Sequence, residues 1–170
     1  MKDIKLTPTS YIVLGLLTQA DEATPYDLKT MVGAGIGNLW SLQHTQLYAE
    51  PERLTAAGYL TERREETGRR RKLYSITRKG REALDGWLTA GPVDALPELR
   101  DINLLKVFFG ADPAPIAGSQ ASAHREKLRE YEELEQLLDD ADAQLTALRA
   151  GIGHEREWVR YWDEIAGQPE

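Results

Sequence analysis

The stretch Tyr59–Ile76, YLTERREETGRRRKLYSI, decides the fold. Its two ends carry aromatic and β-branched residues suited to strand pairing, while its middle is polar and contains Gly68. The pattern predicts strands over Tyr59–Arg64 and Lys72–Thr77, joined by a turn in ETGRRR. Four consecutive cations, Arg69, Arg70, Arg71 and Lys72, stand at the tip of that hairpin.

Working outward, the preceding HTQLYAEPERLTAAGYL (His44–Leu60) reads as helix. Leu47, Tyr48, Leu54 and Ala57 recur on one face and Gly58 supplies a stop. Ser41 is a suitable N-cap, which predicts a third helix from Ser41 to Ala57. Pro51 lies inside it, where a proline removes a hydrogen bond and costs roughly 3 kcal/mol, so a kink is expected near Leu47–Pro51. Further upstream, Tyr11–Leu17 (YIVLGLL) predicts a buried first helix over Thr9–Thr18, with Pro8 near its first turn. Thr24 and Pro25 open a second helix that Gly33, Gly35 and Gly37 end. Downstream, Thr77 caps a fourth helix, RKGREALDGWL.

Three helices, a hairpin and a fourth helix form the order of a winged helix-turn-helix. In that architecture the third helix enters the major groove and the wing grips the flanking backbone. The third helix begins with Ser41, Gln43, His44, Thr45 and Gln46, a stretch without a carboxylate that suits a surface facing bases and phosphates. Tyr48 continues that face. Thr24, Tyr26 and Lys29 on the second helix are expected to position the backbone, and Arg69–Lys72 to hold phosphates.

Net charge is −7, but its distribution matters more than its sum. Residues 1–90 carry 13 Lys+Arg against 11 Asp+Glu, and residues 91–170 carry 8 against 17. Between Arg53 and Arg81 there are 10 basic and 3 acidic residues, so the acidic total does not exclude double-stranded DNA. The absence of cysteine excludes disulfide frameworks and thiolate chemistry. No apolar run reaches membrane-spanning length and no secretion signal precedes the first helix, which points to the cytoplasm. His44, His124 and His154 are far apart in sequence. HERE (His154–Glu157) spaces a His and a Glu for a helix face, but a solvated charged face explains it better than a metal. With no phosphate loop and no serine elbow, neither an enzyme nor a cofactor is expected.

Gly91, Pro92 and Pro97 punctuate the chain after the fourth helix, giving a DNA-binding domain over 1–90 and a helical domain over 91–170. LRDINLLKVFFG is helical in spacing, Gly110–Gly118 reads as a loop, and a long charged helix starts at Ser119. Tyr131, Leu134, Leu138, Ala141, Leu145 and Leu148 alternate by three and four, a heptad seam expected to dimerise the chain as a coiled coil. Gly151 and Gly153 interrupt it before a short aromatic helix. Trp40, Trp87, Phe108, Phe109, Trp158 and Trp162 are the material for a pocket taking a small aromatic effector.

The first 90 residues resemble PadR-type transcriptional regulators. The similarity lies in YIVLGLL, PYDLK, QLY followed by RLTAAGYL, and the wing GRRRKLYSITRKGREAL. The remaining residues resemble the long helical segment of the larger PadR subfamily. The resemblance implies a homodimer on a palindromic operator, repressing nearby genes until a small aromatic or drug-like effector releases it. The chain departs from the family at Ala49, where relatives commonly carry proline, and at Pro51, where they carry leucine. The competing reading is a protein–protein interaction module that uses the same mostly α, winged fold without DNA.

Overall fold

The computed structural model describes residues 4–66 and 70–167. They form two compact units, Met1–Asp94 and Ala95–Glu170.

In the first unit, α1 (Pro8–Leu16) starts at a reciprocal cap in which Thr7 and Ser10 satisfy each other's backbone amides, with Pro8 at the first helical position. α2 (Pro25–Ala34) repeats the device with Thr24 and Asp27. A single 3-10 turn, Ile36–Asn38, follows, and then α3 (Gln46–Ala56). β1 (Leu60–Arg64) and β2 (Lys72–Ile76) pair antiparallel, with Leu60 opposite Ile76 and Arg64 opposite Lys72. The other edge of β2 is bridged by Ala23, whose amide and carbonyl both bond Tyr74. α4 (Arg78–Leu88) closes the unit, capped by Thr77.

Leu14 and Leu17 of the first helical segment, Leu28, Leu47, Leu54, Leu60, Tyr74 and Leu84 are buried together as one core. Each fully buried leucine contributes roughly 2 kcal/mol by removal from water. The turn from α3 into β1 is set by Gly58, whose φ of 80° closes a Schellman cap: Gly58 N–H donates to the Thr55 carbonyl and Tyr59 N–H to the Leu54 carbonyl at 2.9 Å. That cap is what aims the hairpin.

α3 begins later than its residue pattern predicts. Ser41 is not its cap; Ser41, Gln43 and His44 precede the helix, and Thr45 is the N-cap residue. Leu42 is drawn onto the core, which ties this segment to the fold outside a helix. The helix opens with tight three-residue bonds, Leu47 N–H to the His44 carbonyl and Tyr48 N–H to that of Thr45. α3 then continues unbroken through Pro51. Pro51 is fully buried between Leu47 and Leu54 on the core face, so its ring serves as a core side chain.

The second unit contains α5 (Ile102–Phe108), α6 (Ala114–Glu135) and α7 (Ala143–Ala166). Three expectations are corrected here. The stretch read as a loop to Gly118 is helical from Ala114, because Asp112 accepts from the Ala114 amide and Pro115 lies in the first turn, where proline is tolerated. Ala117 and Ala121 are needed as helix, buried against Trp162. The heptad seam does not run as one helix: it breaks between Glu135 and Ala143, and α6 and α7 fold back antiparallel. Glu135–Arg149, Glu132–Arg156, His124–Glu155 and Arg125–Asp163 span the hairpin. Tyr131 and Leu145 are buried inside it, Leu134, Leu138 and Leu148 are half-buried, and Ala141 is exposed in the connection. Finally, Gly151 interrupts nothing. It sits inside α7 with the Tyr131 ring packed on it, 3.0 Å from where a Cβ would stand.

Candidate nucleic-acid interface

On α3 the core face is Leu47, Pro51 and Leu54; the opposite face exposes Thr45, Tyr48, Ala49, Glu52 and Ala56. Tyr48 is half-exposed at 50%. Of the groove-facing residues expected from sequence, Gln46 and Tyr48 lie on this helix, and Thr45 caps it. Ser41, Gln43 and His44 are exposed on the segment before it. The Gln46 side chain accepts from the Gln43 amide at 3.0 Å while its own amide bonds the Gln43 carbonyl, a local box that orders the entry to the helix.

On α2, Tyr26 and Lys29 are exposed, as a surface role requires. Thr24 is not. It is buried, and its hydroxyl is held 2.8 Å from Asp27 in the cap, so it stabilises α2 instead of meeting a ligand. The Thr24 backbone and hydroxyl hydrogen bonds lower the Asp27 carboxyl below the usual range, as expected for an acceptor at a helix N-terminus.

Arg69 lies outside the described residues. Arg70 is exposed and adopts a left-handed backbone, φ 50°, which turns the chain into β2. Arg71 forms a close pair with Glu65 at 2.7 Å, backed by its own amide. Lys72 reaches Glu52 of α3 at 2.5 Å and Glu62 of β1 at 3.3 Å. The wing also presents Arg63, bonded to Glu22 at 2.5 Å, and Arg64, beside Glu62 at 3.4 Å. Sequence reading missed these two cations and Glu52. The exposed outer half of β1, with a single buried residue at Leu60, is the signal that would have found the arginines. Hydrogen bonding to Lys72 lowers the Glu52 carboxyl, and the same bond raises the Lys72 ammonium.

The six aromatics expected to line a pocket divide between the units. Trp40 and Trp87 belong to the first, both partly exposed, with Trp87 stacked on Tyr11 at 4.6 Å. Phe108 and Phe109 of the second unit are exposed and meet edge to face. Trp158 and Trp162 pack at 6.2 Å beside Tyr161. Trp162 is fully buried, and its Nε1 is the buried side-chain polar atom without a partner among the described residues. His154 of the HERE stretch accepts from Trp158 Nε1 at 2.8 Å. Among the described residues no cluster of three or more His, Asp or Glu could hold a metal, and no helix is long and apolar enough to cross a membrane.

A short hairpin wing behind a helix with one exposed face, followed by a helical unit, defines a winged-helix protein. Residues 13–86 match the Transcriptional regulator PadR-like family and residues 99–168 match Virulence activator alpha C-term, so the first unit carries a PadR-like domain. It is 33% identical over 102 residues to the negative transcriptional regulator PadR of Bacillus subtilis, a match covering 58% of this chain and 54% of that protein. The chain therefore aligns with about half the length of that curated relative. The crystal structure of B. subtilis PadR with operator DNA superposes with a TM-score of 0.79 at 24% identity, over 96% of this chain and 99% of that one. The same protein with p-coumaric acid gives 0.73 at 24% identity, over 93% and 96%. The Vibrio cholerae virulence activator AphA gives 0.68 at 25% identity, over 94% and 96%.

Proposed function

We propose that this protein is a homodimeric, non-catalytic DNA-binding repressor of the cytoplasm, with residues 1–90 as its reader and residues 91–170 as its dimerisation domain. One observation carries the reading: Lys72 of the wing bonds Glu52 of α3, so the wing cations and the exposed face of the helix share one surface. Thr45, Gln46 and Tyr48 meet the groove, with Ser41, Gln43 and His44 beside them; Tyr26, Lys29 and the wing cations Arg70, Arg71 and Lys72 hold the backbone. The B. subtilis relative, a negative regulator solved on operator DNA, supports the same assignment.

Fluorescence anisotropy against the protein's own upstream DNA, across a salt series, tests this. Replacing Arg69, Arg70 and Arg71 by alanine is expected to weaken binding at least about tenfold and to flatten the log–log salt slope by up to roughly 0.9 per lost phosphate contact. Unchanged affinity and slope would establish the protein-interaction reading in its place.

Dimerisation is supported by apolar surface that the isolated chain leaves in water. Leu96 is 94% and Phe108 81% exposed, with Leu99, Ile102, Leu105 and Phe109 between and beside them. A contiguous set of this kind marks an interface. Phe108→Glu is expected to shift sedimentation from dimer to monomer; a dimer that persists unchanged removes α5 from the interface. For the effector, the aromatic cluster around Trp158 and Trp162 offers stacking faces and, at Trp162 Nε1, an unsatisfied donor suited to an acceptor group on a small aromatic ligand. The p-coumaric acid complex of the B. subtilis relative supports that class.

A further inference from the structure

Four cations of the wing are already paired with the protein's own carboxylates. Lys72 is bonded to Glu52 and Glu62, Arg71 to Glu65, Arg63 to Glu22, and Arg64 to Glu62. Among the described residues, Arg70 alone of the wing-tip cations has no carboxylate partner. Glu52 is the most informative of these acids. It stands on the exposed face of α3, one turn beyond Tyr48, where a groove-facing helix meets a wall of phosphate. A bare carboxylate there would repel DNA, yet this one is bonded to the cation that the wing would offer to a phosphate.

We infer that Glu52 and Glu65 are resident competitors for the DNA phosphates, occupying Lys72 and Arg71 in the free protein and released from them when the duplex binds. This rests on the DNA-binding reading above. A cation that meets a phosphate directly releases a counterion from the duplex, and log affinity falls with log salt by about 0.9 per contact. A cation that must first leave a carboxylate exchanges one anion for another, and the freed carboxylate takes up a cation from solution. The counterion released by the DNA is thereby largely offset. Contacts by Lys72 and Arg71 then add less affinity and less salt dependence than their charge suggests, whereas Arg70 contributes in full. The consequence is selectivity: the pairs hold down the sequence-independent term, leaving more of the discrimination to the α3 contacts.

The test uses the full-length protein with a random-sequence duplex, since this electrostatic term needs no operator. Glu52→Gln and Glu65→Gln are each expected to tighten binding by about two- to fivefold, the equivalent of one exposed ion pair, and to steepen the salt slope. Glu126→Gln on α6 makes the same change in net charge and is expected to alter neither. The thermal midpoint of Glu52→Gln, at an exposed side chain, should stay at the wild-type value. If wild type binds and Glu52→Gln binds equally or more weakly, Glu52 is a strut that positions the wing and the inference is overturned. A Glu126→Gln effect of equal size overturns it as well, by reducing it to net charge. If wild-type protein binds no duplex even at low salt, the DNA reading itself fails.

Discussion

Gly80→Ala lowers the melting temperature of the first unit by roughly 10–20 °C, an effect of about 2–3 kcal/mol. Gly80 is buried at the start of α4, and its amide donates to the Thr77 hydroxyl at 3.1 Å. A Cβ added there would drive into the Tyr59 carbonyl oxygen and stand 2.8 Å from Ile76 Cγ1 and 3.2 Å from Leu14 Cδ2. The carbonyl cannot yield easily, because the Thr77 amide and hydroxyl both bond it, at 3.0 and 2.9 Å. The methyl therefore separates α4 from the Tyr59 backbone, β2 and α1 together. Alanine's better helix propensity returns only about 1 kcal/mol. Gly86→Ala in the same helix meets nothing within 4 Å and is expected to hold or raise stability. Differential scanning calorimetry of the two variants checks the contrast; equal melting temperatures would show that the close approach at Gly80 carries no weight.

Glu50→Ala costs about 2 kcal/mol at neutral pH. Its carboxylate, on a side chain only 12% exposed, accepts from the fully buried Ser10 hydroxyl at 2.5 Å and from Arg53 at 2.6 and 2.9 Å. Arg53 also donates to the Ser10 hydroxyl and the Lys5 carbonyl. Losing Glu50 leaves a buried hydroxyl and a guanidinium short of their acceptor. The effect falls below the 3–5 kcal/mol typical of a fully buried pair because Arg53 is 36% exposed and screened by water. Burial alone would raise the Glu50 carboxyl, but hydrogen bonds from Arg53 and Ser10 outweigh it and hold the group below its ordinary value. A carboxyl lowered in the folded state stabilises above its unfolded pKa, near 4.3, and that contribution is lost as pH falls through the folded value. Urea denaturation from pH 7 down to pH 3 should therefore show wild type losing stability below about pH 4.5 and converging on Glu50→Gln. Parallel curves for the two proteins would remove Glu50 as the source.

The same site explains the tolerance of Pro51. Because α3 starts at Gln46, Pro51 falls in its second turn, and the intrahelical bond it removes is the one to the Leu47 carbonyl. Its ring is buried, and Glu50 and Arg53 on either side tie α3 to the start of α1. The helix remains unbroken because the core and this polar cluster hold both halves.

Much of the first unit was legible in the residues alone. Thr24 with Pro25, Thr77 before α4 and Gly58 after α3 are local signals, each acting within a few residues through a cap or a left-handed turn. The strand pattern around the GRRRK turn is local too, and the order of helix, hairpin and helix followed from it. Tertiary structure decided what local signals leave open. Leu42 joined the core and delayed α3, moving Ser41, Gln43 and His44 off the helix. The Tyr131 ring settled on Gly151, twenty residues away, and the seam closed into a hairpin within one chain. Thr24 was buried by the fold around it, and the wing cations found carboxylates on α3, β1 and the segment before α2. A heptad spacing or a run of arginines states which surfaces are apolar or charged. Which groups cover them depends on contacts between distant residues, and these form only when the chain has folded.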